Sequence, residues 1–136
     1  MSAGEKILLV DGHSAIFAIP EFAGLHHGPG RFVARLELVK WLQRFADVSD
    51  WNVVVVFDGK QAERGIEGGK DEGVLVMYSR AGETADTVIE RLAARFGSKD
   101  QVRVASNDRM VLTTVTAFGA EGMGIGGLVE MIGLGR

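Results

Sequence analysis

Five carboxylates stand at related places in this sequence. Asp11 and Asp58 directly close runs of apolar residues, and Asp108 closes a third run through Ser106 and Asn107. Glu83 and Asp86 follow a fourth run by a few residues. Singly, each has an ordinary explanation. Aspartate is a common turn former and helix N-cap, Asp86 suits the first turn of a helix capped by Thr84, and Glu83 suits solvent. Together they predict something else. Carboxylates gathered in a small space raise one another's pKa values, and a bound cation relieves that cost. Oxygen-only ligands suit Mg²⁺ or Mn²⁺. Such sites hydrolyse or transfer groups at phosphorus, the ion activating water and offsetting oxyanion charge.

The elements that must position these acids are legible as apolar patterns. Ile7–Val10, Val53–Phe57, Val74–Tyr78 and Val102–Ala105 are continuous apolar or nearly apolar runs, as expected of strands covered on both faces. Helical spacing spans about 32–46, 85–96 and onward from about Asp108, with Gly97 as a C-cap of the second. The glycine-rich end, 119–136, is expected to add a short strand near 123–125 and a helical turn around 128–132. Strands alternating with helices predict a doubly wound, three-layer α/β/α sandwich with a mainly parallel central sheet. Its functional crevice lies outside the carboxyl ends of the strands, where all five acids fall.

Composition narrows the classes. The chain has 136 residues, 46% hydrophobic and 24% charged, with a net charge of −3, which excludes a disordered or fibrous chain and argues against a basic duplex-coating protein. With no cysteine, there is no disulfide framework, thiolate metal site or cysteine nucleophile. No apolar stretch approaches the roughly 20 residues of a membrane helix, and the short run ending at Asp11 is no signal peptide. A soluble, cytoplasmic protein is expected.

The ordered motifs Ile7-Leu-Leu-Val-Asp11-Gly12-His13-Ser14, Val-Val-Val-Val-Phe57-Asp58, Gly82-Glu83-Thr84-Ala85-Asp86 and Ala105-Ser106-Asn107-Asp108 resemble those of the PIN-like nuclease superfamily. Within it they are most similar to the NYN domain and its YacP-like branch, over about residues 5–125. The resemblance implies a PIN-like, Rossmann-like sandwich, with residues 1–136 as a single NYN domain. It also implies a Mg²⁺- or Mn²⁺-dependent endoribonuclease that leaves 5′-phosphate and 3′-hydroxyl ends, with RNA as substrate and the ribosome as a setting. Asp11, Asp86 and Asp108 take the catalytic metal positions, and Asp58 and Glu83 are further metal ligands or acids that support the ligands from behind. Ser14 stands where the branch often has asparagine within Asp-Gly-Tyr-Asn, and His13 replaces the tyrosine.

Substrate contacts are expected from Ser14, Lys60, Arg64, Lys70, Arg80, Asn107 and Arg109, which could grip phosphates beside the acids. The loop 61–73 also carries Glu63, Glu67, Asp71 and Glu72, so it is a weak electrostatic funnel. Its glycines suggest mobility. His26-His27 reads as a surface loop before Gly28, Trp41 and Trp51 as packing residues, and Tyr78 as a core residue with a lesser claim to a base. Gly122-Met-Gly124-Ile-Gly126-Gly127 lies too late in the chain for a dinucleotide loop.

Two other readings compete. A catalytically silent relative binding RNA or a protein is motivated by the altered first motif and the acidic net charge. A phosphotransfer domain lacks its acid pair or Asp-x-Asp after the first strand, since position 13 is His13.

Overall fold

The computed structural model describes residues 4–28, 30–59, 66–69 and 73–133. The elements in order are β1 (Lys6–Asp11), α1 (Gly12–Ala18), α2 (Pro20–His27), α3 (Arg31–Asp47), β2 (Asn52–Phe57), β3 (Ile66–Gly69), β4 (Val74–Tyr78), α4 (Ala85–Phe96), β5 (Gln101–Ala105), α5 (Arg109–Ala117), β6 (Glu121–Met123) and α6 (Ile125–Ile132).

The six strands form one sheet in the order β3-β4-β2-β1-β5-β6. Five are parallel, and β3 pairs antiparallel with β4 at the edge. The chain builds outward from β1 through β2 to β4, then returns to the other side of β1 for β5 and β6. The reversal puts a switch point between β1 and β5, where α/β sheets open a crevice.

Alternation along the strands divides the core. Leu8, Val10, Val53, Val55 and Phe57 face one layer with buried residues of α1, α2, α3 and α6, including Ile16, Phe22, Leu38 and Leu128. Leu9, Val56, Val102 and Val104 face the other with Val88, Ile89 and Ala93 of α4 and Val111 and Val115 of α5. These side chains are almost wholly removed from water. At about 25 cal/mol per Å² of apolar burial, the two faces supply the main folding force. The three-layer, mainly parallel α/β sandwich expected from the sequence is the fold observed.

Several local expectations are revised. The segment 12–27 is two helices, and His26 and His27 end α2 rather than lying in a loop. Ile19, extended, separates the helices, and Pro20 starts the second at N1, where its missing N–H costs nothing. The segment read as a loop after Asp58 contains β3, because the outer edge of β4 offers its backbone groups a partner. The last strand begins earlier, at Glu121, and the last helix runs a full eight residues from Ile125. Lys60, Arg64 and Lys70 lie outside the described residues. Among the described residues no helix is long and apolar enough to cross a membrane.

Candidate active site

Three helix N-termini converge at the carboxyl edge of the sheet, and each gives a backbone N–H to an aspartate. Asp11 N-caps α1, Oδ1 accepting from Ser14 N at 3.2 Å. Asp108 N-caps α5, Oδ1 accepting from Met110 N at 2.9 Å. Asp58 follows β2, and its Oδ1 accepts from Ala85 N, the first residue of α4, at 2.8 Å. The ordinary N-cap explanation therefore holds for Asp11 and Asp108, and it coexists with their convergence. The positive ends of three helix dipoles offset part of the repulsion among the acids.

Asp11 is the most constrained. It is 4% exposed, and its Oδ2 accepts from Ser14 Oγ and Ser106 Oγ, both at 2.8 Å. The two serines extend the network. Ser14 Oγ accepts from Asn107 N at 3.1 Å, and Ser106 Oγ accepts from Asp108 N at 3.0 Å. A single hydrogen-bonded chain thus runs Asn107–Ser14–Asp11–Ser106–Asp108 across the β1/β5 switch point. Asn107 turns its Oδ1 to Ile125 N at 2.9 Å, which fastens the start of α6 to the site.

Asp86, in the first turn of α4, has its carboxyl pushed up to about 6. Burial is the leading cause, followed by the charges of Asp11 and Asp108, a hydrogen bond with Asp108, and the charge of Asp58. Asp11, Asp58, Asp86 and Asp108 therefore form one electrostatic group. Glu83 is differently engaged. Its Oε2 takes Arg91 at 2.6 Å and its Oε1 takes Arg80 N at 3.2 Å, and the bond to Arg91 leads in holding its carboxyl below the ordinary value. Among the described residues, no group of three or more His, Asp or Glu side chains is arranged to hold a metal ion as it stands.

Two half-open clefts flank the aspartates. One of about 580 Å³ is lined by Asp58, Gly59, Ser79, Arg80 and the turn to Thr84. The other, of about 300 Å³, lies between the α1–α2 corner and the start of α6 and includes Asn107. Arg80 and Arg109 are exposed at this edge. Tyr78 and Trp41 pack against the core, and Trp51 lies under Lys6 and Arg103 at the far end of the strands.

Two site residues carried no such role in the sequence reading. Ser106 was visible as part of Ser-Asn-Asp, but its bond to Asp11 depends on β1 and β5 being neighbours. Arg35 lies in α3, outside every motif of the sequence. Its guanidinium lies 4.8 Å from the Phe57 ring centroid and 5.6 Å from that of Tyr78, and Nη2 donates to Asp58 O at 3.1 Å. Burial lowers its pKa, against the pull of Tyr78.

The model of the YacP-like NYN domain family matches residues 8–134. Over 104 residues the chain is 33% identical to the uncharacterized protein YacP of Bacillus subtilis (strain 168), covering 75% of this chain and 60% of that protein. It therefore spans about three-fifths of that relative's length. The crystal structure of Rae1 (YacP) from Bacillus subtilis is similar with a TM-score of 0.78 and 29% identity, covering 94% of this chain and 74% of the other. A mutant of the same protein gives 0.78 and 27%.

Proposed function

Because the chain belongs to the YacP-like NYN domain family, a branch of the PIN-like nucleases, we propose that it is a divalent-metal-dependent ribonuclease, an endoribonuclease acting on RNA in the cytoplasm, ribosome-bound RNA included. The observation that carries the reading is the group of four aspartates, in which burial first, and then the charges of Asp11, Asp108 and Asp58, lift the carboxyl of Asp86 to about 6. A fold that gathers several carboxylates at the crevice beside its switch point gains most when a cation enters, even where helix N-termini and serines already hold some of their oxygens. The donors are oxygen only, which suits Mg²⁺ or Mn²⁺.

In this reading Asp11, Asp86 and Asp108 hold the ion and Asp58 supports it, Glu83 adding charge at the rim while paired with Arg91. When bound, the ion supplies Lewis-acid activation of water and offsets charge at the scissile phosphate. The chain's own residues do the rest. Ser14 and Ser106 fix the orientation of Asp11. Arg80 and Arg109 meet the RNA backbone at the edge, and Lys60, Arg64 and Lys70 are assigned the same task.

One observation favours a second reading, a catalytically silent module that binds RNA or a protein. The carboxylates are satisfied by helix N-termini and serines, and do not stand as a preformed ligand set. Cleavage of RNA with Mn²⁺ or Mg²⁺, lost in EDTA and in Asp86→Asn, supports the nuclease. RNA binding that is indifferent to EDTA, with no cutting, supports the silent module.

A further inference from the structure

Four aromatic rings form a continuous strip beside the aspartates. His13, in the first turn of α1 and two residues after Asp11, lies 4.6 Å from Phe17 one turn on. Phe17 in turn meets His26 at 4.6 Å and His27 at 6.0 Å, and those two histidines are 5.2 Å apart. Phe17 is 42% exposed, and His13 and His27 are exposed beside it.

The fold does not need this strip for its own packing. The inner faces of α1 and α2 are supplied by Ala15, Ile16 and Phe22, all buried. His26 Nδ1 is buried with no hydrogen-bond partner among the described residues, a cost that a leucine supporting Phe17 would avoid. Three of the four rings carry polar nitrogen atoms, which suits a polar, flat partner better than an aliphatic one. The strip also begins on the helix that starts at the active site, with His13 one residue before Ser14. Ser14, next to His13, bonds Asp11 and Asn107.

We infer that His13, Phe17 and His27 form a stacking platform for the bases of single-stranded RNA next to the cleavage site. The inference rests on the ribonuclease reading and names its substrate subsite. Every base has a π-face, so such a platform grips unpaired RNA without reading sequence, whereas bases paired in a duplex are not free to stack on it. It also gives the site a grip that does not depend on the positive charge of Arg80 and Arg109.

The test is binding of a short fluorescent single-stranded RNA, in EDTA, to wild type, Phe17→Ala and Phe17→Trp. An abasic strand of the same length is the second probe, and RNA cleavage in Mn²⁺ is followed separately. The inference predicts about 10-fold weaker RNA binding by Phe17→Ala, recovery in Phe17→Trp, and no difference between the variants on the abasic strand. In the cleavage assay the loss in Phe17→Ala falls on KM. Thermal melts establish that both variants fold. Equal RNA affinity in wild type and Phe17→Ala, with wild type still cutting, overturns the platform, leaves the nuclease standing and assigns the strip to a protein contact. Base-dependent binding through Phe17 without any cutting keeps the platform and removes the nuclease. A wild type that neither binds nor cuts RNA removes both.

Discussion

Ser106 Oγ donates to Asp11 Oδ2 at 2.8 Å across the switch point of the sheet, so the residue after β5 orients the carboxylate that ends β1. Both are almost fully buried, and the same hydroxyl accepts from Asp108 N. One side chain thus sets the geometry of two of the candidate catalytic acids.

Ser106→Ala removes a donor from a buried carboxylate and an acceptor from a backbone N–H. Unfolding in urea should show a loss of about 1–3 kcal/mol with the slope unchanged, and RNA cleavage should fall with it. A loss below about 0.5 kcal/mol, the scale of a neutral surface change, would contradict the role given to this hydroxyl.

The carboxyl of Asp86 makes a pH prediction of definite sign. Its folded pKa of about 6 stands above the ordinary value of 3.8. The folded state therefore holds the proton more tightly, and the stability this contributes is complete below about pH 4 and lost as pH rises through 6. In protein freed of divalent ions, the melting temperature of Asp86→Asn should rise relative to that of wild type as pH increases over that window. Because Asp86 is partly exposed, about 1–2 kcal/mol is expected rather than the ~3 kcal/mol of the full shift. Equal slopes in wild type and Asp86→Asn would show that the four aspartates are not coupled.

Divalent ions should reverse that loss. At pH 7.5 and 100 times the dissociation constant, Mn²⁺ or Mg²⁺ should stabilise the protein by about 2.7 kcal/mol, roughly 10 °C in Tm for a chain of this size. Asp108→Asn should lose most of the gain. An equal rise in wild type and variant would place the ion elsewhere.

Gly12 tests how closely the site is built against the core. A Cβ there would lie 2.3 Å from two ring atoms of Phe57 and 3.0 Å from Val56 O. Phe57 is buried at 2% exposure and has no room to withdraw. Gly12→Ala should cost about 1–3 kcal/mol by overpacking, measured by thermal or urea unfolding. A neutral result would mean that α1 can slide away from β2.

The sequence carried the sheet and the acids because their signals are local. Val53–Phe57 can hardly be other than a covered strand, and α4 runs from its Thr84 cap to Phe96, just before Gly97, as its spacing predicts. The helices α1 and α2 escaped because each is short and Ile19 and Pro20 interrupt them. The strand β3 escaped because Ile66-Glu-Gly-Gly has no apolar alternation, its pairing being set by the free edge of β4. Ser106 and Arg35 illustrate the other limit. Each acts on a residue far away in sequence, Asp11 or Asp58, and only the strand order brings them together. The engagement of Glu83 by Arg91, two turns along α4, is an ion pair that competes with a ligand role and has no signature in the motif itself.

If Asp11 belongs to a metal-dependent ribonuclease site, RNA cleavage must depend on its carboxylate. Wild type and Asp11→Asn should be compared on mixed single-stranded and structured RNA with Mn²⁺, Mg²⁺ or EDTA. Wild type should cut with either ion and not in EDTA, and Asp11→Asn that still melts cooperatively should not cut. Cutting that survives in EDTA or in Asp11→Asn, or no cutting by a metal-loaded wild type, would contradict that assignment.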